Sequence, residues 1–151
     1  MVLSCVLAAC GGAPQTPPAT APSVNPEASG DAVLRIGDSW VRASVVQGSS
    51  LPASVAARYA VDRDPHALLL LVVGGKGPPE TATPLPVQVT ARVTDLSGGV
   101  QDIAMRQVRD GDAIDAIGTL HTGLPDTLRF ELRIVMDGQS RTLAFQREFY
   151  P

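Results

Sequence analysis

Residues 128–136 alternate without a break. Leu128, Phe130, Leu132, Ile134 and Met136 fall on one side of an extended chain, and Arg129, Glu131 and Arg133 on the other. That is the period of a strand with one dry face. Asp137-Gly138 follows, a dipeptide suited to a two-residue hairpin turn, and residues 142–149 return with Leu143, Phe145 and Phe149 on the dry side. Upstream the period recurs: Val87, Val89, Ala91 and Val93 alternate with Gln88, Thr90 and Arg92. Ser97-Gly98-Gly99 ends that strand and residues 100–108 answer it. Arg109-Asp-Gly-Asp112 turns into residues 113–120, and Leu124-Pro-Asp-Thr127 turns into the strand at 128. Residues 39–46 and the wholly apolar stretch 68–73, in a strand begun at 67, bring the total to about seven strands with turns at near-regular spacing. The pattern predicts an all-β fold, an antiparallel two-sheet sandwich of the immunoglobulin-like kind.

One helical patch interrupts the strands. Pro52-Ala-Ser-Val-Ala-Ala-Arg-Tyr59 opens with proline, which suits a helix start, and continues with good helix formers. It predicts a short, two-turn helix with Val55 and Tyr59, four apart, packing on the sheet. Gly74-Gly-Lys-Gly-Pro78 reads as a mobile connection between strands. It lacks the spacing and the Gly-Lys-Ser/Thr ending of a phosphate loop, and Pro78-Pro79 removes two backbone donors.

Upstream of residue 31 the pattern vanishes. Residues 11–30 are rich in Pro, Ala, Ser and Thr and poor in apolar bulk, so they cannot offset their ordering entropy and should be disordered. Pro14, Pro17, Pro18, Pro22 and Pro26 bias the segment toward polyproline II, reaching at most about 60 Å over its length at about 3.1 Å per residue. Before it, residues 1–9 form an apolar run ending in small residues, like the end of a secretory signal. Leu7-Ala8-Ala9-Cys10 resembles the lipobox of bacterial lipoproteins. That resemblance implies diacylglycerol on the Cys10 thiol, cleavage just before it, and acylation of the new amine. At about 0.8 kcal/mol per buried CH₂, two or three chains anchor a protein durably. Gly11 after the cysteine, in place of Asp, resembles the pattern sorted to the outer membrane in Gram-negative cells. A signal ordinarily opens with a basic segment and a longer apolar core; the nine uncharged residues here are expected to be a signal truncated at its start. The alternative is a cytosolic protein with an apolar tip and two thiols, Cys5 and Cys10. The long proline-rich spacer favours the lipoprotein. The expected organisation is therefore a signal at 1–9, a lipidated Cys10 and disordered tether at 10–30, and one domain at 31–151.

Composition narrows the function. The net charge is −3, and the twelve basic residues, Lys76 the sole lysine among them, form no run; nucleic-acid binding asks for a clustered basic face. Aromatics make up 4% of the chain, too few for a platform on which bases or sugars stack. No cysteine lies beyond residue 10. After the start no stretch approaches the roughly 18 apolar residues that span a bilayer.

Candidate chemistry is sparse. His66 and His121 with Met105 and Met136 contain the imidazole and thioether groups that suit copper, but Met136 lies on the dry face of its strand. Asp110, Asp112 and Asp115 suggest a calcium loop; counted from Asp110, position five is Ile114 and position twelve is His121, where oxygen ligands are needed. No serine sits in Gly-x-Ser-x-Gly. A triad assembled from distant Ser, His and Asp leaves no linear motif and stays open. No catalytic, cofactor-binding or metal residue is assigned.

Four pieces in order carry a further resemblance: Val55-Ala-Ala-Arg-Tyr-Ala-Val61, Val108-Arg-Asp-Gly-Asp-Ala-Ile114, Asp126-Thr-Leu-Arg-Phe130 and Phe149-Tyr-Pro151. Over residues 37–151 the chain resembles a bacterial family known as domain of unknown function 4426. Asp115 departs from that family's pattern, which has an aromatic there, and Leu51-Pro52 sits one position off its turn. The resemblance implies a two-sheet β-sandwich and an exported location, with no catalytic residues to carry over. The functional expectation is a non-catalytic accessory or protein-binding module, anchored to a membrane through Cys10, facing the periplasm and meeting another envelope protein. The rivals are a small-ligand or metal carrier and an envelope-polymer enzyme, which would need two carboxylates facing a cleft.

Overall fold

A computed structural model describes residues 30–151. The signal, Cys10 and all but the last residue of the tether lie outside the described residues. Two antiparallel sheets face each other. The first runs β1 (Ala32–Ile36), β2 (Ser39–Gln47), β3 (Ala67–Lys76), β8 (Ala113–His121) and β7 (Met105–Asp110), with β4 (Thr83–Leu85) paired to the far end of β3. The second runs β10 (Gln139–Phe149), β9 (Asp126–Met136), β5 (Gln88–Thr94) and β6 (Val100–Ile103). This is the two-sheet sandwich expected from the alternation, with ten strands where the pattern suggested about seven.

The turns form where the sequence supplies the required backbone. Asp137 and Gly138 both take positive φ, 50° and 72°, between the paired Met136 and Gln139. A two-residue turn of that hand matches the twist of its strands. The alternating residues fall as expected: Leu128, Phe130, Leu132, Ile134 and Met136 are buried, as are Leu143, Phe145 and Phe149. They meet Val41, Leu68, Leu70 and Val72 of the opposite sheet in one core.

Two features depart from the sequence expectation. Residues 100–108 are two strands, and at Ala104 the chain crosses from the second sheet to the first. Ile103 and Met105 both pack into the shared core, so the two-residue period runs through the crossing unbroken. Gly118 makes room for it, since a Cβ there would lie 2.5 Å from Ile103 and 2.6 Å from the Met105 sulfur. The other departure is Gly74-Gly75-Lys76, which completes β3 and is paired on both sides, to β2 and to β4. The connection begins only at Gly77.

The helix α1 (Ala53–Tyr59) lies against the outer face of the first sheet, where Ala56, Tyr59, Leu51 and Val61 form a second core with Leu69 and Ile117. Val55 packs at its margin. The helix stops at Ala60, which adopts the left-handed conformation (φ 53°), while the Val61 N–H returns to the Ala56 carbonyl at 2.9 Å. Among the described residues no helix is long and apolar enough to cross a membrane.

Candidate functional site

At one end of the sandwich the turn from β5 to β6 and the connection from β8 to β9 enclose an open cleft of about 640 Å³. Its floor comes from residues that the strand period turns inward: Val93, Leu120 and Leu128, all buried. Its rim is mixed, with two apolar side chains set among Ser97, Gln101 and Thr122. Leu96 is 74% exposed and Val100 61% exposed, and both line the mouth. His121 stands exposed beside them at the end of β8.

Two carboxylates also line the cleft, and each holds a loop together. Asp95 accepts the Ser97 hydroxyl at 2.6 Å and the Gly99 N–H at 2.7 Å through the same oxygen. Gly98, at φ 87°, gives the turn the positive φ it needs. The Ser97 hydroxyl, with the backbone N–H groups behind it, holds the Asp95 carboxyl below its ordinary value of 3.8. Asp126 bridges the two segments: Oδ1 accepts the N–H groups of Leu96 (3.3 Å) and Thr127 (2.8 Å), and Oδ2 accepts the Thr122 hydroxyl (2.7 Å). The Leu124–Pro125 peptide in this connection is cis. Thr122 is tied in turn to His66, donating its N–H to the His66 carbonyl at 3.0 Å.

The chemistry of the cleft follows. A glycosidase-like acid must hold a proton near neutral pH, which requires a raised pKa. Asp95 is shifted the other way, and Asp126 is engaged at both oxygens. The cleft offers two exposed apolar side chains, an exposed imidazole and the polar groups of Gln101 and Thr122. The Asp95 knot has a measurable consequence. A carboxyl with a lowered folded pKa contributes stability that is present above the unfolded value and lost as pH falls through the folded one. Ser97→Ala should therefore move the Asp95 midpoint up toward the ordinary range in an NMR titration of its carboxyl carbon. An unmoved midpoint would mean that the serine hydroxyl is not the donor.

The residues singled out in the sequence are distributed rather than gathered. His66 and His121 share the cleft end, where Ala67 pairs with His121. Met136 is buried at the other end of β9, roughly 33 Å along the strand from Asp126 at about 3.3 Å per residue. Asp110 is paired with Arg58 at 2.6 Å, and Asp115 is buried on the outer face of the first sheet, accepting the Tyr59 hydroxyl at 2.8 Å. Burial, reinforced by that carboxylate, raises the Tyr59 pKa. Among the described residues no three His, Cys, Asp or Glu side chains are grouped to hold a metal ion. Cys10 lies outside the described residues. Leu96 was hidden in the sequence within a turn region, and Val100 at the start of the strand expected to follow it. The available signal was a leucine between Asp95 and Ser97-Gly98-Gly99, where a turn has no use for one.

The family model described as "Domain of unknown function (DUF4426)" matches residues 33–151. Among solved structures the chain is similar to a DUF4426 family protein from Pseudomonas aeruginosa PAO1, with 26% identity and a TM-score of 0.67, covering 83% of this chain and 98% of that one. Among curated proteins it is 34% identical over 95 residues to a lysine–tRNA ligase from Streptomyces coelicolor. That match takes in 62% of this chain and spans 15% of the ligase's length.

Proposed function

The chain belongs to the DUF4426 family, and on that premise we propose that it is a lipid-anchored envelope protein whose sandwich is a non-catalytic binding module, contacting a protein partner at the end cleft. The observation that carries this reading is the pairing of two exposed apolar side chains on the rim, Leu96 and Val100, with carboxylates already committed to their own loops. Single exposed leucines are ordinary, whereas apolar residues rimming a concave site supported by loops on a rigid scaffold are the usual material of recognition.

The sequence supports the anchor. Leu7-Ala8-Ala9-Cys10 supplies the acylation pattern, and the proline-rich segment after it supplies reach. The strand directions support the pairing of anchor and cleft: β1 starts level with Ala43, midway along β2, and the Gly30 carbonyl before it accepts from Arg147, near the end of β10 at which Phe149 pairs with Asp126. The described chain therefore enters β1 from the side of the cleft end, which suits a partner lying close to the membrane.

Two experiments test the two halves separately. A photocrosslinking residue at position 96 or 100 should give the same discrete adduct in cells, and one at position 112, in the turn at the opposite end, should give none. Equal adducts from all three positions would reject the cleft as the contact. Labelled palmitate should enter the wild-type chain and not Cys10→Ala, which should also leave the membrane fraction. Labelling that survives the substitution would reject the anchor.

A further inference from the structure

The outer face of the first sheet carries a second concavity, independent of the end cleft and built differently. It is a groove of about 210 Å³ beside the β3–β4 pairing. Trp40 forms one wall, Pro79, Ala82 and Pro84 the other, and Asp115 is among the residues that line it. Gly75, near the end of β3, makes room for the indole that forms this wall. A Cβ on Gly75 would lie 2.5 Å from the Trp40 ring and 3.2 Å from Ala82, so only glycine lets the indole lie across the strand there. The ring is fixed in place by its Nε1–H, which donates to the Gly77 carbonyl at 3.0 Å.

Asp115 is 9% exposed, and a buried carboxylate is costly unless it is paired. An ionised carboxylate has about four acceptor positions. Among the described residues Asp115 uses one, with Oδ2 taking the Tyr59 hydroxyl at 2.8 Å. Its Oδ1 has no hydrogen-bond partner there, yet no fully buried side-chain oxygen or nitrogen is left unpaired. Among the described residues Oδ1 is therefore not sealed from solvent, and Asp115 is one of the residues that line the groove. By contrast, Asp126 accepts three hydrogen bonds.

From this geometry we infer that the Trp40–Asp115 groove binds one alkyl cation, a guanidinium- or ammonium-ended chain of the kind carried by arginine and lysine or by a free polyamine. The stem lies between the indole and the two prolines, and the charged head meets Asp115 Oδ1. The apolar walls dehydrate the stem and strengthen the charge pair, and the single carboxylate selects against anions. The volume suits one side chain. Arg42, 5.6 Å from the centre of the Trp40 ring and 3.9 Å from Asp31, shows the indole already accepting a guanidinium beside it.

The chain carries one tryptophan, Trp40, so its emission reports on this groove without labelling. Titration with N-acetyl-arginine amide, N-acetyl-lysine amide, agmatine and cadaverine should give a saturable change, while the uncharged N-acetyl-glutamine amide should give none. The cation that saturates at the lowest concentration identifies the source, side chain or free amine. Asp115→Asn keeps an oxygen for Tyr59 and removes the charge, so it should weaken binding at least tenfold. Amide shifts in the unsubstituted protein provide a check that does not depend on the variant's folding: they should centre on Trp40, Gly75 and Asp115. A flat fluorescence response, equal affinity in Asp115→Asn, or shifts centred elsewhere would each overturn the assignment.

Discussion

Phe130→Ala should lower the unfolding free energy by about 3–5 kcal/mol, the largest loss expected of any single truncation in the domain. Phe130 is fully buried at the middle of β9, where it is paired on one side with Phe145 and on the other with Val93. Its ring stacks on that of Phe145, with centroids 5.1 Å apart and planes 14° from parallel. Truncation removes that stacking and opens a void against the opposite sheet, which the close-packed strands cannot collapse to fill. Phe145→Ala is the informative comparison. Phe145 is 5% exposed on the edge strand β10, with Arg147 over its outer face. A side chain at a sheet edge leaves a site that solvent and Arg147 can partly refill, so its loss should be the smaller of the two. Urea unfolding with an unchanged m-value measures both. A greater loss for Phe145→Ala would place the mechanical centre of the core at the edge of the sheet.

The hairpin that carries these two rings was the most legible part of the sequence. Its alternation and its Asp-Gly turn are local, and each residue does there what its chemistry favours alone. The helix was legible for the same reason. What the sequence concealed was non-local. At Ala104 the chain changes sheets, but both sheets face one core, so the apolar period continues and gives no sign of the crossing. Three-residue β4 is too short to show a period, and its Pro84 argues against a strand. Gly74 and Gly75 read as a loop because glycine usually marks one. In the fold they are glycine because Val87 and Trp40 occupy the space a side chain would take. The end cleft was hidden likewise: its walls come from residues 93–101 and 120–128, which only the strand order brings together. Asp126 read as one residue of a turn, and Asp95 and Leu96 became meaningful once their surroundings were known.

Gly48→Ala should be nearly as damaging as the loss of the Phe130 ring, at about 3 kcal/mol, although it adds only one methyl group. The reason is room rather than backbone freedom. Gly48 opens a short 3₁₀ turn after β2, and a Cβ there would fall 2.1 Å from the Asp62 carbonyl oxygen and 2.9 Å from that of Asp64. Both obstacles are backbone atoms, which cannot rotate aside as a side chain can. The segment that carries them is also held from several directions. The Ala67 N–H donates to the Asp64 carbonyl at 3.2 Å, the His66 N–H to the Asp64 carboxylate at 2.6 Å, and Gln47 Nε2 to the carbonyls of Pro65 (3.2 Å) and Tyr150 (2.9 Å). To admit the methyl, this return segment must separate from the end of β2. That movement pulls on both ends of α1, whose Ala56 and Tyr59 would lose their seat on Leu69 and Ile117. Gly123→Ala is the matched control: no atom lies within 4 Å of its Cβ position, so the change should be within about 0.5 kcal/mol of neutral. Coincident urea midpoints for the two variants would mean that the return segment yields freely and that α1 is not clamped through Gly48.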